Sequence, residues 1–303
     1  MGAPDRWSEW LTERRDASDD AQRRVSIDGL RPIRDRVLHQ AGALDGATVL
    51  DVGCGDGLIA LAALERVGPS GTVIFAEVSP ALLERAERAA RDRGLAERAQ
   101  FVATRAEDLD GIADGSVDVV TTRSVLIYVA DKPAAFSAMY RVLRPGGRIS
   151  LFEPINKLMY PEPEDRLWGY DVAAVGDLAT SVKREYRRLS DPATSSMLDF
   201  DDRDLVRYAV VAGFPEVHLT LKLDVAPGDM RAASFDSFLN AAPNPLAPTL
   251  RETIHQALDE AERQRLLDHL HHVFTTTQPT QLSAGAYLTA QRDLGAAARR
   301  AAA

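Results

Sequence analysis

The chain is poor in cysteine and in long apolar runs. Cys54 is the only cysteine among 303 residues, so no disulfide can form within the chain, and proteins without disulfides are typical of reducing compartments. The stretch "MGAPDRWSEWLTERRD" lacks the apolar core of a signal peptide. No segment approaches the roughly 20 apolar residues that a membrane span requires. We therefore expect a cytoplasmic protein without a membrane span.

Positive charge is also scarce. The chain has 36 lysines and arginines against 45 aspartates and glutamates, which gives a formal charge of −9. Nucleic-acid binding depends on basic patches, and no base-extrusion motif of the Asn-Pro-Pro-Tyr/Phe type is present. The sequence therefore predicts no nucleic-acid partner and favours a small-molecule substrate. A protein substrate stays open, although no feature favours it.

Residues 47–153 alternate between apolar β-rich runs and segments of helical periodicity. In the clearest helical segment, Ser79 is a predicted cap, Pro80 takes the first helical position and Gly94 ends the helix. Five strands that alternate with helices at this spacing predict an α/β fold with a mostly parallel sheet and helices on both faces. The predicted strands are "ATVLDV", "GTVIFAEV", "AQFVAT", "SVDVVTT" and "GGRISLFE".

The most informative stretch is "VLDVGCGDG", in which glycines 53, 55 and 57 alternate after the first strand. Ligands of parallel α/β sheets bind at the carboxyl ends of the strands. Bare main chain at a helix start lets a ligand lie against the backbone. Glu77, at the end of the next strand, is placed to accept hydrogen bonds from the two hydroxyls of a ribose. The segment therefore predicts a cofactor that contains a nucleoside.

Five motifs together resemble the class I S-adenosylmethionine (SAM)-dependent methyltransferases, within them the ubiquinone/menaquinone-biosynthesis type and its small-molecule relatives. They are "VLDVGCGDG", "AEVSP", "AEDL", "VDVVTTRSVLIYV" and "RVLRPGG". The resemblance covers residues 45–155 closely and 200–225 and 281–292 loosely. It implies a Rossmann-like seven-stranded sheet with an antiparallel final strand, and an enzyme of small-molecule biosynthesis that converts SAM to S-adenosylhomocysteine (SAH).

The resemblance also implies the cofactor-binding residues. Asp51 would contact the methionine amine, Glu77 the ribose hydroxyls and Arg123 the methionyl part. One departure concerns the adenine edge, where relatives usually have an aspartate and this chain has Arg105, a side chain that only donates hydrogen bonds. The full predicted set is Asp51, Gly53, Gly55, Glu77, Val78, Ala106, Glu107 and Arg123.

The resemblance divides the chain into a shared core and added segments, which we expect to carry substrate contacts. The helical segment 227–280 is expected to form either a lid or the contact of a homodimer. The expected divisions are an N-terminal helical cap over 1–44, a SAM-binding core over 45–155, a substrate lid over 156–200, closing elements of the core over 201–292 with the insertion 227–280, and a flexible tail over 293–303.

Two other functions remain open at this point. A dinucleotide dehydrogenase would carry GxGxxG, whereas this chain has GxGxG preceded by Asp51, an acid that suits an ammonium group better than a pyrophosphate. The second is a SAM-binding protein, or a catalyst such as a cyclase that uses SAM without transferring its methyl group. Sequence motifs for SAM binding serve both uses of the fold.

Catalytic candidates come from the strand end and the added segments. Glu153 ends the fifth strand and is the first candidate for a base or substrate anchor, followed by Tyr160 and Tyr170. A structural role is the alternative for each. We expect no metal site, because the histidines of "DHLHH" have no accompanying ligand pair, and we expect Cys54 to serve packing. The tryptophans Trp7, Trp10 and Trp168 fit either a core or a pocket.

Overall fold

A computed structural model describes residues 5–189, 196–227 and 232–294. Within these residues the strands are β1 (Thr48–Val52), β2 (Thr72–Glu77), β3 (Ala99–Ala103), β4 (Val117–Arg123), β5 (Leu143–Pro154), β6 (Arg166–Leu167), β7 (Tyr170–Asp171), β8 (Glu216–Pro227) and β9 (Thr280–Gln291). Seven of them form one sheet in the order β3-β2-β1-β4-β5-β9-β8, and β6 pairs with β7.

Strands β1 to β5 of the large sheet pair in parallel, whereas β9 pairs antiparallel with both β5 and β8. The predicted mostly parallel sheet with an antiparallel final strand is therefore confirmed. The strand order reverses between β1 and β4, because the chain first builds outward through β2 and β3. Sheets of this kind bind ligands in the crevice at the carboxyl ends of the strands beside such a reversal.

Helices cover both faces of the sheet, as predicted. Successive residues of β1 point to opposite faces, so Val49 packs under α2, α3 and α4 while Leu50 packs under α5 and α7. The α-helices of the described part of the chain are α1 (Arg6–Glu9), α2 (Asp20–Gln40), α3 (Ala60–Leu64), α4 (Pro80–Asp92), α5 (Lys132–Val142), α6 (Gly176–Leu189), α7 (Asp202–Ala212), α8 (Phe235–Asn240), α9 (Leu250–Ala257) and α10 (Glu260–Thr276).

The two segments added to the sheet share a small core of their own. Apolar side chains of α6, α8, α9 and α10 pack together with Leu167 and Val172. The sequence shows no strand periodicity in residues 154–200, yet β6 and β7 form a hairpin there. The hairpin has only two residues per strand and turns at Trp168 and Gly169, both with positive φ. Strands this short produce no alternation of apolar and polar residues in the sequence.

Helix α4 follows the sequence closely. The Ser79 side chain accepts a hydrogen bond from the Leu82 N–H, Pro80 occupies the first turn and Gly94 has a φ of +69°. No helix within the described residues is long and apolar enough to cross a membrane. The predicted flexible tail falls mostly on residues 295–303, which lie outside the described residues.

A buried lysine joins the start of α5 to the segment before α7. Lys132 is 1% exposed, and its ammonium donates to the carbonyl oxygens of Val129 and Ser196 at 3.0 and 2.9 Å and to Asp199 Oδ1 at 2.6 Å. A buried ammonium is stable only where its donors are satisfied. The contact thus holds residues 196–199 against the sheet at one side of the crevice.

We predict that Lys132→Met lowers the free energy of unfolding by about 1–3 kcal/mol, because the buried carbonyl groups lose their donor. Urea unfolding followed by circular dichroism measures the change. The matched control is Lys157→Met, since Lys157 is half exposed and 3.5 Å from Asp201; an exposed pair contributes at most about 1 kcal/mol. Equal losses in both variants would contradict the anchoring role.

Candidate functional site

One large cavity of about 2150 Å³ lies at the carboxyl ends of the central strands, beside the reversal of strand order. The sheet edge forms its floor, the N-terminal segment covers one side, and the added helical segments cover the other. All eight residues that the sequence predicts to bind the cofactor line this cavity, although they come from four separate parts of the chain. The cavity is therefore the candidate functional site.

The glycine turn contributes bare main chain to the cavity. Gly53, Gly55 and Gly57 have φ values of +64°, +57° and +97°, a conformation that side chains disfavour. A Cβ atom on Gly53 would also overlap Cγ2 of Val125. Glycine is required at this turn both for its backbone conformation and for the close approach of the neighbouring loop.

Asp51 lies beneath the turn and is 2% exposed. Its Oδ1 accepts a hydrogen bond from the Thr121 hydroxyl at 2.8 Å, and its Oδ2 accepts one from the Ala60 N–H at 3.1 Å. Burial raises the pKa of Asp51 to about 7, although these two hydrogen bonds by themselves lower it. Asp51 thus caps the following helix, and it lines the cavity as well.

Glu77 links the glycine turn to the end of β2. Its Oε2 accepts from the Gly55 N–H at 2.9 Å, and its Oε1 accepts from the Val78 and Ser79 N–H groups at 2.8 and 3.1 Å. Burial is the largest influence on this carboxyl and raises its pKa. Three backbone donors therefore fix the position of a carboxylate that borders the cavity.

The side of the cavity beyond Glu77 is where the resemblance places adenine. Val78 is 45% exposed there, and Ala106 is buried. The Arg105 side chain forms an ion pair with a neighbouring acid: its Nη2 lies 2.9 Å from Glu107 Oε1.

A residue that sequence reasoning missed lies at the same edge. Thr104 lines the cavity, and its Oγ1 is buried without a hydrogen-bond partner among the described residues. A buried hydroxyl without a partner is costly, and no hydrogen bond from the described residues offsets that cost. The only sequence signal for Thr104 is its place directly after β3, beside the motif that begins at Arg105.

Arg123 ends β4 and faces the cavity, as the sequence predicts for a residue near the cofactor. Its Nη1 donates to Ser124 Oγ at 3.2 Å. Within the described residues no carboxylate lies in ion-pair distance of its guanidinium. Most of its donors are therefore free to bind a ligand in the cavity.

Glu153 occupies a different environment from the one expected of a base. It is 0% exposed and is not among the residues that line the cavity. Its carboxylate accepts from the Val125, Leu126 and Ile127 N–H groups at 2.9, 3.1 and 3.3 Å. Burial raises its pKa to about 7. The geometry favours the structural alternative, in which Glu153 holds the loop after β4.

The two candidate tyrosines differ in environment although both line the cavity. Tyr160 is 52% exposed. Tyr170 is 3% exposed and packs edge-on against Phe238 and beside Phe274. Tyr160 is thus the more accessible of the two to a bound substrate.

The N-terminal segment, which belongs to the cap expected over residues 1–44, lies over the glycine turn, where Leu11 is next to Gly55. Asp5 Oδ2 accepts from the Ser79 hydroxyl at 2.7 Å, and Trp7 packs edge-on against Tyr128 at 5.1 Å. The indole N–H of Trp10 donates to the Ala242 carbonyl at 2.8 Å. The segment therefore spans from the sheet to the added helices, and Trp7, Trp10 and Trp168 all line the cavity.

Metal and thiol chemistry find no support in the described ranges 5–189, 196–227 and 232–294. They contain no group of three or more His, Cys, Asp or Glu side chains that could hold a metal ion. Cys54 is 6% exposed, and burial raises the pKa of its thiol well above its ordinary value. A buried, protonated thiol is a packing residue rather than a nucleophile.

Comparisons with known proteins identify relatives of this chain. A family model described as a methyltransferase domain matches residues 49–147. The nocamycin O-methyltransferase of Saccharothrix syringae is 31% identical over 174 residues, which are 57% of this chain and 60% of that enzyme. The ubiquinone/menaquinone biosynthesis C-methyltransferase UbiE of Pseudomonas putida is 34% identical over 183 residues, which are 59% of this chain and 70% of that enzyme. The chain thus spans less than two thirds of the nocamycin enzyme.

Among solved structures, the (4+2)-cyclase SpnF superposes with a TM-score of 0.50 and 19% identity, covering 87% of this chain and 82% of SpnF. Such a likeness shows a shared fold and does not distinguish between reactions.

The raised pKa of Glu153 predicts a pH dependence of stability. The unfolded carboxyl loses its proton near its ordinary pKa of 4.5, whereas the folded one keeps it to about 7, so the free energy of unfolding falls as the pH rises through this window. In Glu153→Gln we expect this fall to be shallower by up to about 1.4 kcal/mol per pH unit.

Urea unfolding at several pH values between 5 and 7.5 measures the slope. Glu97→Gln, at an exposed position, is the control and should keep the slope of the wild type. An unchanged slope in Glu153→Gln would mean that the three N–H donors outweigh burial.

Proposed function

Because this chain belongs to the class I SAM-dependent methyltransferases, we propose that it transfers the methyl group of SAM to an oxygen, nitrogen or carbon atom of a small-molecule metabolite. Membership rests on the match to UbiE, which is 34% identical and of which the chain covers 70%. The predicted family and SAM as cofactor are therefore confirmed. One observation carries the proposed reaction: all eight predicted cofactor residues line one cavity at the reversal of strand order.

The residues at this cavity fit the cofactor chemically. The carboxylate of Glu77 suits two vicinal hydroxyls, and Asp51 suits an ammonium group. The Oγ1 of Thr104 has no hydrogen-bond partner among the described residues, and Arg123 donates one hydrogen bond, to Ser124. We propose that both side chains bind polar atoms of the ligand. In the proposed complex these side chains hold the ribose, the amine, the adenine edge and the methionyl end of SAM, in that order.

Bound SAM supplies an electrophilic methyl group on a sulfonium, and methyl transfer leaves SAH. The protein therefore has to align the acceptor and exclude water rather than build a reactive group. In this chain the N-terminal segment and the helical segments around the cavity serve that purpose. Tyr160 stays the candidate for a direct contact with the acceptor, and we propose that Glu153 positions the loop 125–127.

The cavity wall indicates an acceptor with an apolar body. Large exposed apolar side chains are concentrated on it, whereas isolated ones elsewhere on a surface need no explanation. Because water does not stabilise such a wall, a partly apolar metabolite gains binding energy by covering it. The exposed apolar residues that line the cavity are Val78, Leu158, Tyr160, Leu198, Val225 and Leu282.

The proposed reaction is tested by release of SAH from SAM in the presence of a panel of partly apolar hydroxyl, amine and carbon nucleophiles. Mass spectrometry of the acceptor then identifies the atom that gains the methyl group. Conversion of an acceptor without SAH release would favour the non-methylating alternative. The cytoplasm as compartment, a homodimer and the absence of a nucleic-acid partner stay predictions.

We predict that Glu77→Gln weakens SAH binding about 10- to 100-fold. The variant replaces a charged acceptor with a neutral one. A hydrogen bond donated to a charged group contributes about 1.5–3 kcal/mol, and 1.4 kcal/mol corresponds to tenfold in affinity. Isothermal titration calorimetry measures the change. Glu65→Gln is the control, because Glu65 lines the same cavity away from the glycine turn and should bind SAH as the wild type does. Normal SAH binding by Glu77→Gln would remove Glu77 from the cofactor site.

A second prediction concerns the apolar wall. Val225 and Leu282 face each other across β8 and β9, and the double variant Val225→Ser/Leu282→Ser should raise the KM for the identified acceptor about tenfold. The kcat and the affinity for SAH should change little, because these residues contact only the apolar body of the acceptor. The matched control is Leu221→Ser/Leu223→Ser, at exposed positions of the same strand outside the cavity. The same rise in KM in both double variants would contradict an acceptor site here.

A further inference from the structure

Strand β8 forms one edge of the large sheet and leaves a long open side. It is the last strand in the sheet order, and no strand of the described residues pairs with its outer side. Its register with β9 is uninterrupted from Glu216 to Pro227. A long, regular edge strand can pair with another chain, and most proteins shorten, kink or cover such edges. The open edge of β8 is therefore a candidate interaction surface.

The backbone groups that face the open side of β8 belong to alternate residues. Ala284 of β9 lies opposite Leu223, and its carbonyl oxygen accepts from the Ile155 N–H at 2.9 Å, on the side of β5. Opposite residues of antiparallel strands alternate between pairs that exchange hydrogen bonds and pairs that do not. Leu223 and Ala284 are a pair of the second kind, so the N–H and C=O of Leu223 point away from β9. The same holds for Leu221 and Val225, which lie two positions to either side.

The side chains of these three residues form an apolar stripe on one face of the edge strand, because alternate residues of a strand share a face. Leu221, Leu223 and Val225 are 38%, 54% and 70% exposed. Lys222 and Asp224 lie between them on the opposite face, where their side chains pair at 2.8 Å. A lysine on an edge strand usually opposes pairing with another chain. It permits pairing where an acidic side chain lies opposite it.

A second copy of the chain meets these requirements at one register. When β8 pairs antiparallel with β8 of a second copy about a two-fold axis at Leu223, the pairs are Leu221 with Val225, Leu223 with Leu223 and Lys222 with Asp224. Opposite charges then face each other on both sides of the axis. They do so in the pairs that exchange no hydrogen bonds, in which side chains are closest. An axis at Lys222 or at Asp224 would instead place like charges opposite each other.

We propose that two copies of this chain form a homodimer through their β8 edges, which joins the two seven-stranded sheets into one continuous sheet. The outward N–H and C=O groups of Leu221, Leu223 and Val225 then bind those of the second copy. The two apolar stripes become one, and the two pairs of Lys222 with Asp224 across the axis determine the register. Such a contact uses the same surface on both copies, as a two-fold dimer requires.

The experiment reverses one charge at a time and then combines the two variants. Sedimentation equilibrium of the wild type should show a dimer. Lys222→Asp and Asp224→Lys should each raise the dimer dissociation constant at least about tenfold, because two attractive pairs across the axis become repulsive. An equimolar mixture of the two variants should associate again as a heterodimer, since the acidic side chains of one chain then lie opposite the lysines of the other.

The control is Arg88→Asp, which reverses an exposed charge that pairs with Glu84 on α4 and should leave the dimer unchanged. Circular dichroism checks that each variant is folded. A monomeric wild type would overturn the inference. A dimer that persists in both single variants would overturn it as well and place the contact elsewhere, for example in residues 227–280.

The mixture tests the register itself. Single variants that are monomeric and stay monomeric when mixed would overturn the two-fold axis at Leu223, because loss of a merely structural role would not be restored by mixing. The proposed methyl transfer does not depend on any of these outcomes, since Lys222 and Asp224 do not line the cavity.

Discussion

The site depends on backbone N–H groups that converge on two buried glutamates. Glu77 receives three of them and holds the glycine turn against the end of β2, while Glu153 receives three and holds the loop after β4. The two loops meet where Gly53 approaches Val125. A side chain on Gly53 or the loss of either carboxylate would move both walls of the crevice, because each loop is the packing surface of the other.

The two glutamates hold their loops by the same kind of hydrogen bond but differ in what they face. Each places a carboxylate where loop N–H groups would otherwise be buried without acceptors, a situation that costs about 1–3 kcal/mol per group. Glu77 still borders the cavity and keeps the capacity to accept from a ligand, whereas Glu153 lies behind the loop that it holds. Similar residues at the ends of parallel strands thus divide into one that borders the cavity and one that holds the wall from behind.

The arrangement also explains how a shared reaction accommodates a particular substrate. In the proposed function the sheet and the glycine turn supply the cofactor contacts, whereas the segments around α6 and α8 to α10 have a separate core. Their cavity-facing side chains can therefore change without disturbing the strands beneath. Such a division is typical of folds on which loops carry specificity and a rigid scaffold carries the common chemistry.

Local sequence alone determined the strands β1 to β5, the caps of α4, the glycine turn and the family motifs, because each depends on residues near one another in the chain. Ser79 and Gly94 cap a helix through backbone geometry within a few residues, and the motif from Asp51 to Gly57 defines one turn. Only the tertiary structure decided the direction of the Glu153 side chain, the burial of the Thr104 hydroxyl without a partner and the contact of Trp10 with Ala242. These depend on contacts between separate segments of the chain or on a single rotamer, and neither leaves a periodic pattern in the sequence.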